Sequence, residues 1–238
     1  MHKPHALHPR NRHMTCCPQT LKAIVFDFDG TLAETNIDFA AMRRRIYELI
    51  HQWGLWEDHM GDGRYVLEVI DAAKAKLAAD PERQAEFDRQ AARVLVEVEM
   101  ETVANAAPYP GVVEALDRLG QSGYKLGIVT RNCRECVEHF LARHPLPCEV
   151  CLTRDDVQLV KPDPAHLLAA LERLVVDPAE AIMVGDHKSD IECGQAAGCC
   201  TVGVFLTGTT AGQFAELGAN AAYEDVPAFV AALCGDNA

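Results

Sequence analysis

The chain lacks any apolar run near the ~18 residues that cross a bilayer as a helix, which excludes a helical membrane anchor. It is also short of positive charge. Lys and Arg number 22 against 35 Asp and Glu, a net of -13. A nucleic-acid surface wants a basic stripe, so that partner class is excluded. An anionic substrate is not excluded, but a cation and a few placed bases would have to offset the acidic field locally. The first twenty residues hold bases but no apolar stretch of the kind a secretion signal needs, so the expected location is the cytoplasm. No internal repeat is present.

Cysteine is not scarce. There are 10, and without a secretion signal they read as reduced thiols. Two C-x-x-C pairs, Cys133/Cys136 and Cys148/Cys151, would alone suggest zinc. Their context argues otherwise. The first pair falls at the start of a helix. The second falls on a strand, where a spacing of three sends the side chains to opposite faces roughly 10 Å apart. Buried or half-buried thiols are the expectation for both.

With 238 residues, 49% of them hydrophobic, the chain can bury one sizeable core, or one core plus a small second domain. Residues 1–20, rich in His, Pro and Arg, read as a flexible tail rather than a metal-binding arm. Phe39, Met42, Ile46, Leu49, Ile50 and Trp53 then follow helical spacing. Gly61-Asp62-Gly63 breaks the pattern. A second helix carries Leu67, Ile70, Ala73 and Leu77. Asp80-Pro81 opens a third through Phe87, Ala91, Val94, Leu95 and Val98. Residues 35–105 are therefore expected to form a strandless helical insertion. From residue 106 strands and helices alternate: strands at 125–129, 149–152, 181–184 and 201–204, and helices at 111–121, after Asp163-Pro164 and near 227–233. Such alternation implies a parallel sheet covered on both faces. The expected fold is α/β: a three-layer Rossmann-like parallel sheet built from 21–34 plus 106–238, with an inserted all-helical cap domain.

The chemistry is concentrated where the first strand ends. Ala23-Ile24-Val25-Phe26 runs into Asp27-Phe28-Asp29-Gly30-Thr31. Two carboxylates two residues apart point the same way if the chain stays extended, and glycine then permits a sharp turn. Three further segments are each read at the carboxyl end of a predicted strand: Thr130-Arg131-Asn132, Lys161-Pro162-Asp163 and Gly185-Asp186-His187-Lys188-Ser189-Asp190. A parallel sheet gathers strand carboxyl ends at one edge. Four carboxylates crowded there call for a divalent cation, and oxygen ligands with a phosphate favour Mg²⁺. The bland alternatives are acids that cap turns, a Thr130 or Asp190 that caps a helix, a solvated Lys161, and surface positions for Arg131 and His187.

Taken in order, these four segments resemble the haloacid dehalogenase superfamily, in particular its phosphoglycolate phosphatase-like branch, over residues 21–232. The resemblance implies Asp27 as the nucleophile that attacks phosphorus and Asp29 as general acid and base. It implies Thr130, with Asn132 and Arg131 beside it, as phosphate-binding, and Lys161 as the cation that neutralises phosphate and nucleophile. Asp27, Asp29, Asp186 and Asp190 are implied at the metal, Asp186 as a direct ligand. The expected reaction is Mg²⁺-dependent hydrolysis of a small phosphorylated metabolite through an aspartyl-phosphate. A phosphoglucomutase-like phosphoryl transferase and a non-catalytic binding module of the same fold stand as alternatives. The dehalogenase branch does without Asp29, and a phosphonate hydrolase would need a cap lysine, for which Lys74 and Lys76 lack a supporting motif. Arg43-Arg44-Arg45 on the first cap helix reads as a solvated face from which one arginine could reach a substrate.

Overall fold

A computed structural model describes residues 20–61, 63–206 and 209–235 of the chain. The tail expected over 1–20 lies, all but its last residue, outside them. The elements are β1 (Ala23–Phe26), β2 (Ala33–Glu34), α1 (Phe39–Gln52), α2 (Val66–Ala75), α3 (Pro81–Val103), β3 (Ala107–Pro108), α4 (Val112–Gln121), β4 (Lys125–Val129), α5 (Arg134–Arg143), β5 (Val150–Leu152), α6 (Pro164–Leu174), β6 (Ala181–Gly185), α7 (Lys188–Ala197), β7 (Cys200–Val204), α8 (Ala211–Glu216), β8 (Ala221–Tyr223) and α9 (Val226–Cys234).

Six strands form one sheet in the order β5-β4-β1-β6-β7-β8, and every neighbouring pair is parallel. β1 is central, and all four of its residues are fully buried. A strand covered on both faces reads as a continuous apolar run, which Ala-Ile-Val-Phe is. One face of the sheet packs on α6 and α7, with Val25, Val129 and Met183 against Leu167, Leu171 and Leu174. α4, α8 and α9 contact β4, β7 and β8. The molecule is thus an α/β protein of the Rossmann-like kind. Chain order runs outward from β1 to β4 and β5, then returns to β6 on the other side. That reversal is where an open α/β sheet leaves a crevice at its carboxyl edge.

Two compact units divide the chain. Of the described residues, one unit holds those up to Ala33, Pro108–Arg131 and those from Leu146; the other holds those of Glu34–Ala107 and Asn132–Pro145. The helical unit has its own core, in which Ile46, Ile50, Val69, Phe87, Leu95 and Val98 are buried together. Its helices start where local chemistry says they should. Asp38 accepts from the Ala41 amide at 2.8 Å, and Asp80, followed by Pro81, accepts from Arg83 at 3.1 Å. α5 joins this unit, and the Cys133/Cys136 pair forms its first turn, with Cys133 Sγ accepting from the Cys136 amide at 3.4 Å. Both C-x-x-C pairs are free thiols, and among the described residues no cysteine belongs to a cluster that could hold a metal.

Candidate active site

The site is built on the last hydrogen bonds of the sheet. Asp27 follows β1, and its amide still donates to the Val184 carbonyl of β6 at 2.8 Å. Thr130 follows β4 in the same way, donating to the Leu152 carbonyl of β5 at 2.9 Å. Both residues therefore inherit the rigidity of the ladder while their side chains stand beyond it. Phe28, fully buried, anchors the loop between the two carboxylates. Its carbonyl collects the amides of Leu32 at 3.0 Å and Ala33 at 2.9 Å, which closes a tight turn at Gly30.

Gly30 has φ +83° and faces Asp186; a Cβ there would lie 2.5 Å from Asp186 Oδ2. Gly185 is tighter still, with a notional Cβ 2.2 Å from Asp190 Oδ2. These glycines let two backbone segments approach two of the carboxylates. Thr31 donates to Asp186 Oδ1 at 3.2 Å, and Thr209 donates to the Asp186 carbonyl at 3.2 Å. Neither the Thr31 and Thr209 contacts nor the Gly185 contact is visible in the sequence pattern. Only the glycine that ends β6 hints at close approach.

Asp27, Asp186 and Asp190 come together, each offering an oxygen within 4.8 Å of the others. Lys161 reaches the cluster from the loop before α6. Its Nζ lies 2.5 Å from Asp27 Oδ1 and 2.8 Å from Asp190 Oδ1, and it is 2% exposed. The Asp190 contact is an ion pair without hydrogen-bond geometry. Asp190 Oδ2 accepts the His187 amide at 3.0 Å, the capping-box bond at the start of α7, so Asp190 sits at the third helical position rather than at the N-cap. His187 is the N-cap, and its ring receives the Ser189 amide. Asp29 is half-buried, and its Oδ2 accepts the Thr130 hydroxyl at 3.0 Å.

The charges do not balance. Burial raises the Asp27 carboxyl well above its ordinary range; Lys161 opposes this, while Asp190, Asp186 and Asp29 add to the rise. For Lys161 burial favours the neutral form, but Asp190 and Asp27 outweigh it and hold the ammonium above its usual value. One ammonium thus serves three clustered carboxylates. All three offer oxygen, the donor set of a hard divalent cation, and the surplus negative charge fits Mg²⁺ at this position.

Two further expected residues follow Thr130 in the chain. Arg131 gives its carbonyl to Arg154 Nη1 at 3.0 Å, tying the loop after β4 to the turn at Arg154–Asp156. Asn132 falls in the helical unit, where its Oδ1 accepts the Cys133 amide at 2.8 Å. In that same unit Arg45 is bound to Glu101 at 2.8 Å, whereas Arg43 and Arg44 line a shallow cavity of about 630 Å³ on α1 with Phe39, Tyr47 and His51.

The sequence profile of haloacid dehalogenase-like hydrolases matches residues 24–204. The chain belongs to that family. Its curated relatives include the pyrophosphatase PpaX of Bacillus velezensis, 34% identical over 194 residues that make up 78% of this chain and 83% of that protein. The phosphoglycolate phosphatase of Vibrio vulnificus is 31% identical over 193 residues, 78% of this chain and 84% of that protein. Among solved structures, a HAD family hydrolase from Deinococcus radiodurans with bound phosphate and sodium shares the fold at a TM-score of 0.61 and 21% identity, over 90% of this chain and 96% of that one. This family member is a hydrolase whose relatives are phosphatases, as its strand-end motifs suggest.

Proposed function

We propose that this hydrolase is a Mg²⁺-dependent phosphatase that cleaves a small phosphorylated metabolite through an aspartyl-phosphate on Asp27. The observation that carries the reading is the position of Asp27: fixed by the sheet, clustered with Asp186 and Asp190, and paired with Lys161 at 2.5 Å.

An Asp27 oxygen attacks phosphorus, and the bond from phosphorus to the leaving oxygen breaks. Asp29 gives that oxygen its proton. Asp29 then takes a proton from water, the water attacks phosphorus, and the Asp27 carboxylate is released with inorganic phosphate. Splitting the displacement in two lowers each barrier, and the acid/base contribution is on the order of 10²–10⁴-fold. Lys161 and the Thr130 hydroxyl hold equatorial phosphoryl oxygens as charge develops. Asp27, Asp186, Asp190 and the Asp29 backbone carbonyl would hold Mg²⁺. When bound, it supplies positive charge that screens the approach of two anions. The named activities of the relatives, on pyrophosphate and on phosphoglycolate, favour a compact and highly charged substrate. The free thiols suit a cytoplasmic enzyme.

Phosphate release from a set of phosphorylated metabolites and pyrophosphate, with and without Mg²⁺, tests the proposal. Wild type is expected to release phosphate only with the metal, and Asp27→Asn to lose at least 10³-fold in rate, about 4 kcal/mol of barrier. Undiminished release by Asp27→Asn would overturn it.

A further inference from the structure

His166, on the first turn of α6, is fully buried in the unit that carries the catalytic carboxylates. Its Nε2 lies 3.3 Å from the Leu152 carbonyl oxygen, and its Nδ1, also buried, has no partner. A carbonyl only accepts, so Nε2 must carry the proton and Nδ1 must be bare. The same carbonyl receives the Thr130 amide at 2.9 Å. One oxygen with two lone pairs thus takes both bonds, and the peptide that holds Thr130 is braced from α6.

We propose that His166 is a positioning residue for phosphoryl binding: by bonding the Leu152 carbonyl it fixes the end of β5 and, through the shared oxygen, the Thr130 hydroxyl. The inference rests on the phosphatase reading, in which Thr130 meets the phosphoryl group.

Two observations support it. β5 is a three-residue strand at the edge of the sheet, paired only with β4, so its end is weakly held by the ladder itself. Leucine would fill the same buried position without stranding a buried nitrogen, a penalty that argues for use of the donor. Burial disfavours a charged ring, as do the charges of Lys161 and Arg131, while the Leu152 hydrogen bond and the charge of Asp156 favour one. Burial dominates, and the imidazole stays neutral with a pKa near 4. The ring is therefore neutral throughout the neutral range, with its single proton on Nε2. Asp156 is itself engaged, its Oδ2 taking the Thr153 amide at 2.8 Å and hydroxyl at 2.9 Å.

The test compares His166→Leu, which keeps the volume and removes the donor, with His166→Gln, whose amide can reach the same carbonyl. Steady-state hydrolysis of p-nitrophenyl phosphate and the Thr130 amide proton resonance are read on both. His166→Leu is expected to lower kcat/KM about tenfold and shift the Thr130 amide, with His166→Gln restoring both within about threefold. Equal loss in the two variants, or a Thr130 amide unmoved by His166→Leu, would mean a packing role and overturn the proposal. Should either variant fail to fold, imidazole nitrogen resonances of wild type decide: a ring whose proton sits on Nε2 supports it, and a neutral ring with its proton on Nδ1 and a bare Nε2 overturns it. The two resonance readouts do not depend on turnover. A wild type that hydrolyses nothing would sink the phosphatase reading while the hydrogen-bond relay remained separately measurable.

Discussion

Lys161 is the residue on which the charge balance turns. Replacing it with methionine leaves Asp27 and Asp190 buried with no counter-charge. Removing one partner of a buried ion pair costs about 3–5 kcal/mol. Loss of a cation that stabilises developing phosphoryl charge costs about 10²–10³-fold in rate. Lys161→Met is therefore expected to melt early without metal, to recover part of that loss in Mg²⁺ and to remain impaired in turnover at every Mg²⁺ concentration; calorimetry and a phosphate-release assay read the two effects. His166 gives a second outcome with a definite sign. Its folded pKa of about 4 lies below the model-peptide value of 6.5. Between those values the unfolded chain binds the extra proton, so stability rises with pH across the window and is lost as pH falls through it. The loss from pH 6.5 to 5 is on the order of 2 kcal/mol. In denaturant titrations at the two pH values, wild type should lose that amount of stability relative to His166→Leu on acidification. A constant difference would show that the ring is not held neutral.

Among the elements, the loops after β1 and β6 matter most, because each has a glycine pressed on a carboxylate. Gly185→Ala would drive a Cβ to 2.2 Å from Asp190 Oδ2, and Gly30→Ala would combine a similar clash with a φ of +83°. Each is expected to cost about 1–3 kcal/mol by crowding and, by moving a carboxylate, to weaken Mg²⁺ binding; calorimetric titration with Mg²⁺ reads the second effect. The sequence made much of this level legible. Strong period announced α1 to α3, with a cap at Asp80-Pro81 for the third, and apolar runs announced β1, β4 and β6. Four elements escaped. β2 and β3 have two residues each, α8 spans six and β8 is Ala-Ala-Tyr, half-buried throughout, so none carries a full period of its pattern. The carboxylates and Lys161 were readable because motif spacing fixes them along the chain. Thr31, Gly185 and His166 were not, because their parts depend on contacts across the fold: Thr31 on Asp186, Gly185 on the Asp190 side chain, His166 on a carbonyl 14 residues away.

At the scale of the whole molecule, a net charge of -13 opposes compaction and repels an anionic substrate. A site with one ammonium and three clustered carboxylates concentrates that problem, and a bound divalent cation should relieve it. Mg²⁺ at 100-fold its Kd is expected to add about 2.7 kcal/mol of stability, or about 5–10 °C in Tm for a chain of this size. NaCl at matched ionic strength controls for general screening, and Asp186→Asn should lose the Mg²⁺-specific part. The central claim is the covalent role of Asp27, and trapping the intermediate tests it most directly. In Asp29→Ala the water that frees Asp27 lacks its base, so a reactive donor such as acetyl phosphate should leave a phosphoryl group on the chain. Mass spectrometry of the acid-quenched protein is predicted to find one phosphoryl group per chain, on the peptide containing Asp27. A phosphoryl group on another residue, or none while wild type turns over the same donor, would contradict the account.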